Sequence, residues 1–235
     1  MRATVLCRKL KKSIQLYGLP ATLKTMIRLP SITLKQSKEY GTRNEIQREF
    51  DSKHNTDTGG IIPLAELSVV DNPNWIQGVR YGPTSPSRFH ECLALLPLRL
   101  SEYRGFTYID LGSGKGATLL YASHLGFGNV IGIEFAEELH RVAEENIRRY
   151  PGARGRAASI WCDATKYDFP DAPAVIFANH PFSGVLMNQV LTNLSRKCHQ
   201  KYLIHEHADY VLTDLPAAKF LKQVAADKMC RVYAS

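Results

Sequence analysis

Asp110-Leu-Gly112-Ser-Gly114-Lys-Gly116 is the stretch on which the fold of this chain turns. It follows Phe106-Thr-Tyr-Ile-Asp-Leu111, a short apolar run that reads as a strand, and precedes Ala117 to Leu125, which has the apolar spacing of a helix. Working outward, Asn129 to Phe135 reads as a second strand and Ala136 to Tyr150 as a charged helix. Ala158 to Cys162 and Ala174 to Ala178 read as a third and fourth strand, Val185 to Cys198 as a helix, and Tyr202 to His205 as a fifth strand. Alternating β and α units predict an α/β fold: a Rossmann-like, mostly parallel seven-stranded sheet covered by helices on both faces. The apolar stretches Phe220–Ala225 and Met229–Tyr233 complete it as a closing hairpin. Upstream, Ser85 and Pro86 have the residue types of a helix N-cap and first turn, and that helix runs to about Leu96.

Glycines at a strand-to-helix turn let the backbone approach a ligand closely, and the helix start behind them presents a positive dipole end. Three ligand classes use such a loop. A nucleoside-triphosphate loop needs a glycine five residues before the Gly-Lys pair and a Ser or Thr after it; here those positions are Ile109 and Gly116, so Lys115 is not a phosphate-gripping lysine. A dinucleotide loop, GxGxxG/A, fits Gly112, Gly114 and Ala117, with Glu134 ending the second strand. Against it, Asp110 stands two residues before the first glycine, where a carboxylate repels a pyrophosphate. S-adenosylmethionine carries no phosphate but two positive groups, a sulfonium and an ammonium. Asp110 can meet its amino-acid end, Glu134 can accept from both ribose hydroxyls, and Asp163 after the third strand can accept from the adenine amino group.

In this order and spacing, DLGSGKG, GIE and CDA resemble the class I, seven-strand, S-adenosylmethionine-dependent methyltransferases over roughly residues 80–205. The resemblance implies that methyl donor and a cofactor set of Thr84, Asp110, Gly112, Ser113, Gly114, Gly116, Glu134, Phe135, Asp163, Ala164 and Asn179. The fourth strand ends in Ala178-Asn179-His180-Pro181-Phe182, similar to the Asn-Pro-Pro-Phe/Tyr signature of amino-methylating enzymes, with His180 in a proline position. Aligned instead to bacterial relatives with Asn-Pro-Phe, His180 takes the Asn position. Tyr81-Gly-Pro-Thr-Ser85 and Val175-Ile-Phe-Ala-Asn179 are similar to the loop and strand of the non-SET histone-lysine methyltransferases, although Pro83 replaces the loop's Glu. The Pro-Thr pair also resembles small mitochondrial lysine methyltransferases. These resemblances imply a nitrogen acceptor, a protein lysine or a small-molecule amine, with Tyr81, Asn179, His180 and Phe182 at the chemistry. Tyr210 is a further pocket wall, and His180 is the candidate base, because a neutral imidazole is available near pH 7. The competing readings are an NAD-dependent oxidoreductase and a cofactor-binding or nucleic-acid-associated module without turnover.

The charge is uneven. Residues 1–40 hold nine basic groups and one acid, Glu39, while the remainder has 21 of each, so the net +8 lies entirely in the first forty residues. Within residues 4–29 the apolar spacing predicts two short amphipathic helices broken at Gly18-Leu19-Pro20. We therefore expect a basic helical extension with its loop over 1–60 and a methyltransferase domain over 61–235, an anionic partner being reachable only through residues 1–40. Asp57-Thr58-Gly59-Gly60 reads as either a lid hinge or a plain loop. Five separated cysteines without a CxxC pair read as free thiols, and the expected location is cytoplasmic. The longest uncharged stretch, Ala172 to Ser195, is too polar for a membrane span. His205-Glu206-His207 places two imidazoles on one face of an extended backbone, with too few ligands for a metal site; no metal is expected.

Overall fold

The near-continuous apolar runs of residues 107–111 and 174–179 are what strands buried on both faces require. The computed structural model describes residues 45–67, 78–197, 199–207 and 210–235, and it places these two runs side by side in the middle of a seven-stranded sheet. The strands are β1 (Thr107–Leu111), β2 (Asn129–Glu134), β3 (Ala157–Trp161), β4 (Ala174–Asn179), β5 (Lys201–Glu206), β6 (Lys222–Ala226) and β7 (Cys230–Ala234). Their spatial order is β3-β2-β1-β4-β5-β7-β6. The first five are parallel, and β7 runs antiparallel between β5 and β6, with Ile204 opposite Val232. The closing hairpin expected from the sequence is this β6–β7 pair. Its turn is held by Asp227, whose carboxylate accepts from the backbone N–H of Met229 and of Cys230, both at 2.7 Å.

Alternation along each central strand splits the core in two. Tyr108, Val175, Phe177 and Ile204 point to one face, where they meet α2 (Pro86–Ala94) and α3 (Ala117–Ala122) through Phe89, Leu93, Leu119 and Tyr121. Ile109, Ile176, Ala178 and Leu203 point to the other, under α5 (Gly184–Leu194) with Leu186, Met187 and Val190. Ser85 caps α2 as expected, its hydroxyl accepting from the Arg88 N–H. The chain order reverses between β1 and β4, so the loops after those two strands diverge and leave a crevice at their carboxyl ends, the place where open α/β sheets take ligands.

The body also includes a helix that the sequence reading missed. Residues 45–54 are helical, α1, within the stretch expected as the loop of the 1–60 extension. Its inward face is polar or aromatic rather than aliphatic. Gln47 is fully buried, accepts from the Tyr121 hydroxyl at 2.9 Å and donates to the Thr58 hydroxyl. Phe50 packs edge-on against Tyr121, ring centroids 5.1 Å apart. Such a face gives no hydrophobic period to detect. The two basic helices expected over 4–29, and with them the surface for an anionic partner, lie outside the described residues. Among the described residues, no helix is long and apolar enough to cross a membrane.

Candidate active site

The loop after β1 is shaped by left-handed backbone that only glycine adopts without strain. Gly112 has φ +76° and Gly114 φ +55°. A Cβ on Gly114 would sit 2.2 Å from a ring carbon of Tyr81, so the glycine also makes room for that ring. Gly114→Ala combines a strained φ with a steric overlap. We expect it to lower stability by about 1–3 kcal/mol, read as a fall in the thermal midpoint of the unliganded protein.

Two buried carboxylates close the inner wall. Asp110 is 4 % exposed and accepts from the Thr118 hydroxyl. Glu134, 3 % exposed at the tip of β2, accepts from the backbone N–H of Gly114 and of Ala136, both at 2.8 Å. Burial dominates both groups and pushes each carboxyl up to about 7; the Thr118 bond opposes this at Asp110, as do the backbone N–H groups at Glu134.

Nine of the expected site residues line one cavity: Tyr81, Thr84, Asp110, Gly112, Ser113, Gly114, Glu134, Phe135 and Asn179. A second cavity shares the walls Gly112, Phe135 and Pro181 and adds Asp163, Ala164 and Phe182. Asp163 also caps a short turn, its carboxylate accepting from the Thr165 N–H and hydroxyl at 2.9 and 2.7 Å. Gly116 and His180 line neither cavity. Gly116 starts α3 in a left-handed conformation, facing Ala143. His180 has φ +39°, and its ring lies 6.3 Å from that of Tyr210.

Around this framework stand contacts that local sequence did not reveal. Lys115 Nζ reaches the Asp57 carboxylate at 2.8 Å and the Gly59 carbonyl at 3.0 Å. The Asp51 carboxylate accepts from the N–H of Thr58 and of Gly59, and the Tyr81 hydroxyl donates to the Thr58 carbonyl at 2.5 Å. Residues 57–59 are thus held by Lys115 of the glycine loop, by Asp51 of α1 and by Tyr81. At the outer end of β5, Glu206 is wholly buried and paired with Arg88, whose guanidinium also holds Asp227. His205 and His207 do not share a face as an extended backbone would require, because His207 has φ +54°, which carries its imidazole back to 3.3 Å from Glu206. His205 faces Tyr210, ring centroids 4.9 Å apart, with neither ring nitrogen hydrogen-bonded among the described residues. Burial, then His180 and Arg231, hold its pKa down at about 3, so it is neutral at physiological pH.

A sheet of this order, with a glycine loop after the first strand and an acid at the tip of the second, has the architecture of the class I Rossmann-like methyltransferases. Residues 109–203 match the family model described as a methyltransferase domain. Among solved structures the chain is similar to one described as a predicted N6-adenine-specific DNA methylase from Listeria monocytogenes. The identity is 13%, the TM-score 0.51, and the match covers 65% of this chain and 51% of that one. It is also similar to a mitomycin 7-O-methyltransferase (13%, TM-score 0.46, 63% and 52% covered). A third is a geranyl diphosphate C-methyltransferase from Streptomyces coelicolor (16%, TM-score 0.40, 51% and 44% covered). The chain spans about half the length of these structures. No curated protein sequence matches it.

Proposed function

We propose that this protein transfers a methyl group from S-adenosylmethionine to a nitrogen acceptor, a protein lysine or a small-molecule amine. The observation that carries the reading is that Asn179 lines the same cavity as Asp110 and Glu134. An amide-bearing side chain at the end of β4 thereby meets the carboxylates suited to the cofactor. The residues fit that cofactor chemically: burial holds both carboxylates above their usual range, and the buried Ser113 hydroxyl in the same wall has no hydrogen-bond partner among the described residues. A ligand with cationic and hydroxyl donors relieves both conditions.

When bound, the cofactor supplies an electrophilic methyl group on a sulfonium. Asp110 would hold its ammonium end, Glu134 its ribose hydroxyls and Asp163 its adenine amino group. Asn179 would orient the acceptor nitrogen, whose lone pair must lie in line with the bond that breaks. Tyr81 and Phe182 would wall the acceptor path with aromatic surface, and removing water there lowers the pKa of an amine toward its neutral, nucleophilic form. His180, the base expected from sequence, stands outside both cavities, and we give it no proton-accepting role in this arrangement.

The test is tritiated methyl donor, incubated with the purified protein and cell extract. Label that stays bound to protein or to a small molecule after mild alkali, and that is recovered as a methylated amine, is the expected result. Label released by alkali as methanol, or recovered on oxygen or carbon, would remove the nitrogen assignment.

A further inference from the structure

Four residues from distant parts of the chain form one hydrogen-bonded line into the cavity. Arg88 Nε in α2 donates to Glu206 Oε1 at 2.8 Å. The Thr84 hydroxyl donates to Glu206 Oε2 at 3.5 Å, and Asn179 Nδ2 donates to Thr84 Oγ1 at 2.8 Å. We propose that Arg88 and Glu206 are positioning residues: they decide which end of the Asn179 amide faces the cavity. The inference rests on the proposed function, in which that cavity takes the methyl donor and the acceptor nitrogen.

Hydrogen-bond polarity sets the orientation of the amide. A carboxylate only accepts, whereas a hydroxyl has a single hydrogen to give. Glu206 is wholly buried and faces the Arg88 guanidinium, with Nε 2.8 Å from its Oε1. The Thr84 hydroxyl lies between the Glu206 carboxylate, at 3.5 Å, and the Asn179 amide, at 2.8 Å; giving its hydrogen to the carboxylate leaves its oxygen to accept from Asn179. The amide must therefore turn its NH2 toward Thr84 and its carbonyl oxygen toward the cavity. That oxygen suits a ligand bearing N–H donors. Arg88 is fixed in turn by Asp227 at the β6–β7 turn, with bonds of 2.8 and 3.2 Å, so the hairpin anchors the far end of the line.

The isosteric change Glu206→Gln tests this without altering shape. Arg88 keeps Asp227 as its counter-charge and can donate to the Gln carbonyl oxygen. The Gln NH2 then faces Thr84, whose hydrogen is freed to point at Asn179, and the amide turns over. The readout is calorimetric affinity for sinefungin, an analogue with an amine in place of the transferable methyl, together with thermal midpoints. Glu206→Gln is expected to weaken binding by about 10-fold, the scale of one hydrogen bond to a charged group. Thr84→Val is expected to do the same, the double variant no worse than either single, and Thr84→Ser to lose less than Thr84→Val. Independent structural roles would add instead. Additive losses, or wild-type affinity in Glu206→Gln, would overturn the proposal. Should Glu206→Gln fail to fold, equal losses in Thr84→Ser and Thr84→Val would overturn it as well. If the unaltered protein binds neither sinefungin nor S-adenosylmethionine, the cofactor reading itself falls and takes the inference with it.

Discussion

Glu134→Ala is expected to weaken S-adenosylmethionine binding by about 100-fold or more. The loss has two sources. The carboxylate is the proposed acceptor for the ribose hydroxyls, and charge-assisted hydrogen bonds of that kind contribute about 1.5–3 kcal/mol each. It also accepts from the N–H groups of Gly114 and Ala136, so its removal leaves two loop donors without their partner and loosens the glycine turn itself. Glu134→Gln separates the two effects: an amide retains one acceptor oxygen but sets an NH2 against a backbone donor. Its loss should fall between wild type and Glu134→Ala. Titration calorimetry with S-adenosylmethionine and S-adenosylhomocysteine measures both variants, with NAD as the competing ligand. Unchanged affinity in Glu134→Ala would reject the ribose role, and tighter binding of NAD than of the sulfonium ligand would reject the cofactor.

The second large effect is on pH. Burial raises Asp110 and Glu134 to about 7 in the unliganded protein, so below that pH the folded cavity holds protons on its carboxyls. A ligand bringing an ammonium and hydroxyl donors favours the ionised carboxylates, and binding must then expel those protons. Affinity for S-adenosylmethionine should accordingly rise with pH up to about 7 and level off above it. The slope should be about 10-fold per unit for each carboxyl that has to ionise. Titrations in buffers of different ionisation enthalpy would show proton release at pH 6 and much less at pH 8. A pyrophosphate ligand would behave in the opposite sense, since ionised carboxylates repel it. A flat affinity between pH 5.5 and 7.5 would mean that neither carboxylate meets the ligand. The same groups act on stability. A carboxyl whose folded pKa lies above its unfolded value costs nothing in acid, and the penalty grows as pH rises toward 7. The unliganded protein should therefore gain most from its ligand at neutral and higher pH.

The sequence by itself determined the strand–loop–helix unit of residues 107–122, the acids at the tips of the second and third strands, the cap of α2 and the closing hairpin. Each of these is local. Period-two burial, a glycine forced to positive φ, or a proline at a first helical turn leaves its mark within a few residues of the chain, and spacing alone carries it. Of the residues in the first cavity, Asp110, Gly112, Gly114 and Glu134 were legible from the glycine loop and the strand ends, whereas Tyr81, Thr84, Ser113, Phe135 and Asn179 were named from the family resemblance.

The tertiary structure decided what depends on neighbours far apart in sequence. Helix α1 was invisible because its inward face is Gln47 and Phe50, satisfied by Tyr121 and Thr58 rather than by an aliphatic stripe. Asp57-Thr58-Gly59-Gly60 reads equally as hinge or loop until Lys115 and Asp51 are seen to hold it. His180 sits in a motif position, on left-handed backbone, and lines neither of the two cavities described. The line from Arg88 through Glu206 and Thr84 to Asn179 exists only because β5 pairs with β4 and the β7 strand inserts beside it. Polar pairing of that kind has no period and no fixed spacing; it is set by which strand ends the sheet order brings together, and only the folded chain fixes that order.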